Sequence, residues 1–548
     1  MLLRCIAVAG LAGLAVLALV RPAVAAEPRT VCTITINSDN EREAFRRHSK
    51  GDYRIVELVE RNNPDWLAAA CRRGIRCDSL IISGHFDGGT EFYSDRLDAR
   101  EYLPVDDLVR ESCSASCPGL FSQLKDVYLF GCNTLNAEPL RTATGEIERS
   151  LARAGYAPDD VQRTIAHLNA RYGQSNRDRL RHVFKDVPVL YGFSSKAPLG
   201  RSAGPLLDRW FAATSAQEVG TGRASPALLS LFAPASMVAV PGLAGSDPQA
   251  TFRDDVCALA DTRPGVARKL AFVHAMLARP PAEARLFLDH LERFAAGLTP
   301  AERAAPDAAA ELAAIAHDDP ARERYLALAR DADDPAIVLR MMALARTLGW
   351  LTPDEERAEF VQMLARRVDR DVVGQPDVDL ACARGERLDA VPASLHGQGR
   401  TGVAQAAVRA CLGSADDHAA VLRALASVRE DDVAIAKVYL RHRKFADSGE
   451  LNRTVASVVR MPPSAAQAMA LDALAPQRLS DPDVLAGLAQ LFPRARTLAE
   501  QRAIAGVLIR ADYDALARNE LAQSLRRHRL RSPEGEDVID ALLRRLAM

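Results

Sequence analysis

Leu80-Ile-Ile-Ser-Gly-His85 and Val127-Tyr-Leu-Phe-Gly-Cys132 are the two stretches on which the reading of this chain turns. Each is a short apolar run that stops on a glycine, and each glycine is followed by a side chain able to do chemistry. Runs this short, rich in β-branched and aromatic residues and bounded by Gly, Asp or Asn, read as strands. Both are apolar on either side of the pleat, as expected of strands buried between two helical layers. In an open α/β sheet, functional groups gather beyond the carboxyl ends of the strands, so His85 and Cys132 are expected on one edge.

The flanking sequence extends this pattern. Val31–Asn37, Tyr53–Val59 and Val187–Phe193 read as further strands. Glu41–His48, Pro64–Arg73, 146–154, Asp159–Arg171 and Arg177–Phe184 read as helices between them. Strands alternating with helices predict an α/β domain over 27–224, a mostly parallel sheet with helices on both faces. Residues 225–250 hold four prolines and no strong period, which reads as a linker. From 251 to 548 the pattern is helical throughout. Helix starts are marked by a capping residue before proline at Thr299-Pro300, Asp319-Pro320, Asp334-Pro335, Thr352-Pro353, Asp481-Pro482 and 532–533. Apolar residues recur at three and four spacing, as at Tyr325, Leu326, Leu328 and Ala329. About 300 helical residues exceed one core, which predicts an all-α, solenoid-like domain resembling stacked helical pairs of the HEAT kind.

Residues 1–26 have an early Arg4, an apolar run and a small-residue AVAA end, the pattern of a secretory signal peptide. The apolar run is short of the ~20 residues a membrane span needs, and nothing later is apolar enough. The expected mature chain is exported, periplasmic or secreted. It has no membrane span and carries 68 basic against 71 acidic residues, a net charge of −3. Without a basic field, nucleic acid is not an expected partner. An ordinary globular composition, 48% apolar and 26% charged, excludes a disordered or fibrous chain.

Export changes the meaning of the cysteines. Nine remain after the leader, an odd number, so at least one thiol stays free. By sequence proximity Cys71 with Cys77, Cys113 with Cys117, and Cys382 with Cys411 are candidate disulfides; buried reduced cysteines are the alternative.

A thiol is a strong nucleophile as thiolate, and an imidazole can take its proton and later protonate a leaving amine. Backbone amides at Phe86 and Cys132 would hold the oxyanion of a tetrahedral intermediate. Either side chain alone reads as a core residue, but the pair on matched strand ends favours a dyad. Zinc held by His85, Cys132 and an outside ligand such as Asp87 is a third reading. No compact C-x-x-C or H-E-x-x-H cluster supports it, and no cofactor is implied.

A strand ending in Gly-His, followed 47 residues after the His by a strand-end Cys, resembles the caspase-like superfamily of cysteine peptidases. That group includes caspases, gingipains, legumains, separases and bacterial CHAT domains. The resemblance covers roughly residues 30–210 and implies a peptide-hydrolysing enzyme, with His85 as the catalytic base and Cys132 as the nucleophile. Most members follow the His with Gly; here Phe86 stands there, with Gly88 and Gly89 beyond it. The resemblance also implies that part of the primary specificity pocket lies after Tyr191-Gly-Phe-Ser-Ser195, making Ser194 and Ser195 candidates beside Asp87. Glu91 and Tyr93 would border the cleft, and Arg141, Arg177 or Arg201 would read an acidic substrate. The basic run Arg526–Arg531 reads as a solvated helix face. The expected partner is a polypeptide substrate. The alternative is an inactive caspase-like domain in a periplasmic scaffold that binds a protein partner.

Overall fold

The computed structural model describes residues 28–61, 63–86, 89–95, 101–113, 117–139, 144–153, 155–173, 175–385, 391–395, 402–531 and 537–547. The leader read over 1–26, Asp87, Gly88, Arg141 and the helix start at 532–533 lie outside them. Two compact units emerge: residues up to 142 with 166–265, and 143–165 with 266–548.

The first unit is built on a six-stranded sheet of order β2-β1-β3-β6-β7-β8. Its strands are β1 (Arg29–Thr35), β2 (Tyr53–Glu57), β3 (Ser79–Ser83), β6 (Asp126–Phe130), β7 (Val189–Phe193) and β8 (Met237–Val240). The first five are parallel and β8 is antiparallel to β7. A separate hairpin pairs β4 (Glu91–Tyr93) with β5 (Tyr102–Pro104). Every residue of β3, β6 and β7 is buried. Alternate side chains feed two cores: Leu80, Ile82, Val127 and Leu129 on one face, and Ile81, Tyr128, Phe130 and Tyr191 on the other. That double burial explains why these strands read as continuous apolar runs.

Helix α1 (Asn40–His48) covers the second face together with the Gly200–Ala213 helix. Phe45 meets Tyr128 and Phe211 edge-on, both at 5.2 Å, and Tyr128 stacks on Tyr191 at 4.9 Å. The other face is covered by α2 (Trp66–Arg72), α3 (Val105–Cys113) and the Asn176–Val183 helix.

The stretch read as a linker belongs to the sheet unit. It forms the Pro226–Phe232 helix and then β8, and the unit continues to 265. Its prolines punctuate elements: Pro226 opens a helix capped by Ser225, Pro234 sits in a 3₁₀ turn, and Pro241 follows the last residue of β8. Conversely, 143–165 clusters with the helical unit. Arg149 there pairs with Asp333 at 2.9 Å and donates to the Asp331 carbonyl at 2.7 Å.

The second unit is helix-rich. The expected caps hold at Thr299, Asp334, Thr352 and Asp481; at Asp319-Pro320 the capping side chain is one residue earlier, Asp318, whose carboxylate accepts from the Ala321 amide. Alternate helices pack in succession, Gln375–Arg384, Glu430–His442, Ala465–Leu474, Leu498–Leu508 and Val538–Leu546 forming one row.

The cysteines pair as Cys32–Cys77, Cys71–Cys117, Cys113–Cys257 and Cys382–Cys411. The pairings Cys71–Cys77 and Cys113–Cys117 are therefore corrected, whereas Cys382–Cys411 stands. Proximity in sequence yields to element packing. The β1–β3 register sets Cys32 beside Leu80 and brings Cys77 to 5.6 Å between Cα atoms. Cys113 faces Cys257 on the Ala250–Ala260 helix at 5.2 Å, a span a disulfide bridges. These bonds fit a chain exported to an oxidising compartment. No helix among the described residues is long and apolar enough to span a membrane. Peptide mapping of the unreduced native protein is expected to recover those four cross-linked pairs and one alkylatable thiol, Cys132.

Candidate active site

The register of β3 on β6 runs from Ser79 opposite Asp126 to Ser83 opposite Phe130. His85 and Cys132 therefore stand at the same offset, two residues past the last paired position, on neighbouring parallel strands. Of the two glycines before them, Gly131 is required by space. A Cβ on Gly131 would fall 2.8 Å from the Phe86 Cβ and 2.9 Å from the Gly84 carbonyl oxygen. The Gly84 amide donates to the Phe130 carbonyl at 3.1 Å, prolonging the ladder by one step.

Both side chains line one open cleft. Its other walls are Asn37, Ser38 and Glu41, which follow β1, and Ala197–Gly200, which follow β7. Strand order accounts for its place. The chain leaves β1 toward β2 on one side and later builds β3, β6 and β7 on the other, which opens a crevice at the reversal between β1 and β3.

His85 is fixed through its backbone, exchanging two 2.9 Å hydrogen bonds with Tyr93. Its ring leans on the Tyr93 ring at 5.3 Å. The exposed Asp95 carboxylate lies 3.2 Å from Nε2, close enough for an ion pair but not aligned as a hydrogen bond, so this buried nitrogen is left unbonded. Cys132 is half-buried and is the free cysteine of the described residues; its sulfur accepts a 3.4 Å hydrogen bond from the Ala197 amide.

The turn carrying Cys132 is tightly held. Asn133 has φ 58°, the left-handed region that Asn tolerates better than most residues. Its amide donates to the Ser195 carbonyl at 2.7 Å, and its own carbonyl accepts from Asn176 Nδ2 at 3.1 Å. The buried Thr134 hydroxyl donates to the Gly131 carbonyl at 3.1 Å and accepts from the Phe193 amide at 3.0 Å. Among the described residues no backbone acceptor takes the Phe86 or Cys132 amide, whereas those of Gly84 and His85 are committed. The Phe86 side chain is fully buried against Phe92 at 4.6 Å, so its bulk points into the core.

Other expected residues fall elsewhere. Ser194 turns its hydroxyl to the Ser236 carbonyl at 3.2 Å, and Ser195 is exposed; neither lines the cleft. Their strand ends on the right edge, but the cleft takes up the next residues, Ala197–Gly200. Arg177 supplies its amide to the Asn136 carbonyl at 3.0 Å, and Arg201 is exposed; neither side chain lines the cleft. Cys71, Glu111 and Cys117 form the one metal-like trio among the described residues, and its two sulfurs are joined in a disulfide.

The residue missed from sequence is Glu41. It stands in the first turn of α1, where an acidic residue reads as ordinary helix-terminal charge. Yet it is 2% exposed, and its Oε2 has no hydrogen-bond partner. Burial pushes its carboxyl up to about 6, only partly opposed by the α1 backbone and the Ser38 and Ser83 hydroxyls, with Asp39 adding repulsion. Below pH 4.5 both folded and unfolded states hold the proton and nothing is lost. Between 4.5 and 6 the unfolded chain ionises first, so stability falls as pH rises, by about 2 kcal/mol above pH 6. Glu41→Gln is thus expected to raise stability in urea unfolding at pH 7.5 by 1–2 kcal/mol, roughly that penalty, with no gain below pH 4.5. Thr134→Val, which leaves the Gly131 carbonyl and Phe193 amide unsatisfied, should cost about 2–3 kcal/mol, and Thr134→Ser much less. No family model, curated protein or solved structure matches this chain.

Proposed function

We propose that the sheet unit is an exported, caspase-like cysteine peptidase acting through Cys132 and His85. One observation carries this reading: the free thiol among four disulfides shares an open cleft with an imidazole, at matched offsets beyond adjacent strands. A structural cysteine in an oxidising compartment gains nothing from staying reduced at a cleft mouth, whereas a nucleophile must.

The chemistry follows from the groups present. His85 takes the Cys132 proton as the sulfur attacks the carbonyl carbon of a peptide bond, forming a C–S bond and an oxyanion. The Phe86 and Cys132 amides, uncommitted among the described residues, are the donors for that oxygen. Collapse breaks the C–N bond, and His85 returns the proton to the departing amine. Water then attacks the thioester carbon as His85 accepts its proton; the C–S bond breaks to release the carboxylic acid, and His85 returns that proton to the Cys132 sulfur. Asp95, beside the imidazole, would steady the imidazolium formed midway.

The helical unit fits a repeat array that supplies a protein-binding surface, because its alternate helices stack in a row, each contacting the next. Cys132→Ala is expected to abolish both hydrolysis of a broad peptide library and labelling by a peptidyl acyloxymethyl ketone. His85→Ala should lower kcat by about 10³-fold or more. A correctly folded wild-type protein that neither cleaves nor labels would leave the scaffold reading in its place.

A further inference from the structure

Thr134, two residues after Cys132, is fully buried, and its hydroxyl is bonded on both sides. The register of β6 on β7 runs from Asp126 opposite Val189 to Tyr128 opposite Tyr191. Two residues beyond that last pair, the Phe193 amide donates to Thr134 Oγ1 at 3.0 Å, and the Phe193 carbonyl accepts from the Leu135 amide at 2.9 Å. The Cys132 turn is thus stitched to β7 where the ladder has ended. Space is kept for this stitch. A Cβ on Gly192, inside a fully buried strand, would fall 2.6 Å from Thr134 Oγ1. Glycine within a strand gives up packing and entropy, and here it allows that close approach.

The direction of the hydroxyl proton follows from its neighbours. A backbone amide only donates and a carbonyl only accepts. With the Phe193 N–H aimed at the oxygen, the hydroxyl hydrogen goes to the Gly131 carbonyl at 3.1 Å. That carbonyl shares a planar trans peptide with the Cys132 N–H, and in such a plane the two groups point opposite ways. Holding the carbonyl toward Thr134 therefore holds the Cys132 amide away from it. Gly131 and Cys132 both line the cleft, and among the described residues no backbone acceptor takes that amide.

Resting on the peptidase reading, we propose that Thr134 is a positioning residue for the oxyanion donor. Its hydroxyl fixes the Gly131–Cys132 peptide, so the Cys132 amide meets the oxygen of the tetrahedral intermediate without first having to reorient. The hydrogen bonds run in series from the Phe193 amide through Thr134 and the Gly131 peptide to that oxygen, and each polarises the next. Thr134 does not line the cleft and acts only through that peptide.

The test separates reactions that form an oxyanion from one that does not. Wild type, Thr134→Val and Thr134→Ser, each checked for folding by circular dichroism, are compared by kcat and KM on a fluorogenic peptide that the wild type cuts. The matching peptide aldehyde is assayed as an inhibitor, and Cys132 alkylation by iodoacetamide is followed against pH. The aldehyde takes the sulfur at its carbonyl carbon and needs the same donor. Iodoacetamide loses iodide as the sulfur bonds to a saturated carbon, and no oxyanion arises. Thr134→Val is expected to lower kcat by about 10²-fold or more with KM within about threefold, and to weaken the aldehyde comparably. Its alkylation profile should match the wild type, and Thr134→Ser should recover kcat to within about threefold. Should Thr134→Val not fold, Thr134→Ala, which removes the hydroxyl without setting a methyl beside Phe193, takes its place. A folded Thr134→Val with wild-type kcat overturns the proposal and leaves the peptidase standing. So does alkylation that falls in step with kcat, or a Thr134→Ser as impaired as Thr134→Val. Wild-type protein that is alkylated but neither cleaves nor binds any aldehyde of a broad panel removes the peptidase and the proposal together.

Discussion

The parallel register of β3 on β6 is the constraint on which the candidate site depends. Strands buried on both faces are poorly specified by hydrophobic pattern, because a slip of one residue exchanges one apolar face for another. Here other contacts fix the alignment. Gly84, Gly131 and Phe86 interlock too closely for any side chain at Gly131. Cys32–Cys77 ties β1 to the approach of β3, and the Tyr128–Tyr191 stack ties β6 to β7. Shift β6 by one residue and Cys132 would no longer share the offset of His85.

Around that framework the cleft gathers three local exceptions. Asn133 occupies left-handed backbone, His85 Nε2 lacks an aligned partner, and Glu41 lies buried without a cation. Each feature costs stability, and each is within or next to the same hollow. The supporting groups do not share the anomaly: Thr134 and the amide of Asn133 are fully engaged, which keeps the costly elements in one arrangement.

Much of this was legible in sequence because it rests on local signals. Apolar runs bounded by glycine gave the strands, cysteine parity left a free thiol, and capping residues before proline marked helix starts. What escaped depends on three-dimensional packing. Glu41 looked like a favourable helix-terminal charge, since nothing in one dimension shows that the Gly200–Ala213 helix closes over it. Ser194 and Ser195 lie on the correct edge, but the chain turns them aside before reaching the cleft. The disulfides of the sheet unit follow element contacts over 45, 46 and 144 residues, where short spacing was the wrong guide. β8 was hidden because its flanking prolines mimic a linker.

The division of the chain between its two units has one more consequence. Because 143–165 belongs with the helical unit while its neighbours on both sides belong with the sheet, the polypeptide passes between them three times, near 142, 165 and 265. A nick near 142 or 165 leaves 166–265 joined to 266–548 in one chain, whereas a nick near 265 separates 266–548 and leaves 143–165 behind with the sheet unit's segments. Neither unit is one continuous stretch of chain, so no single cut yields both of them whole.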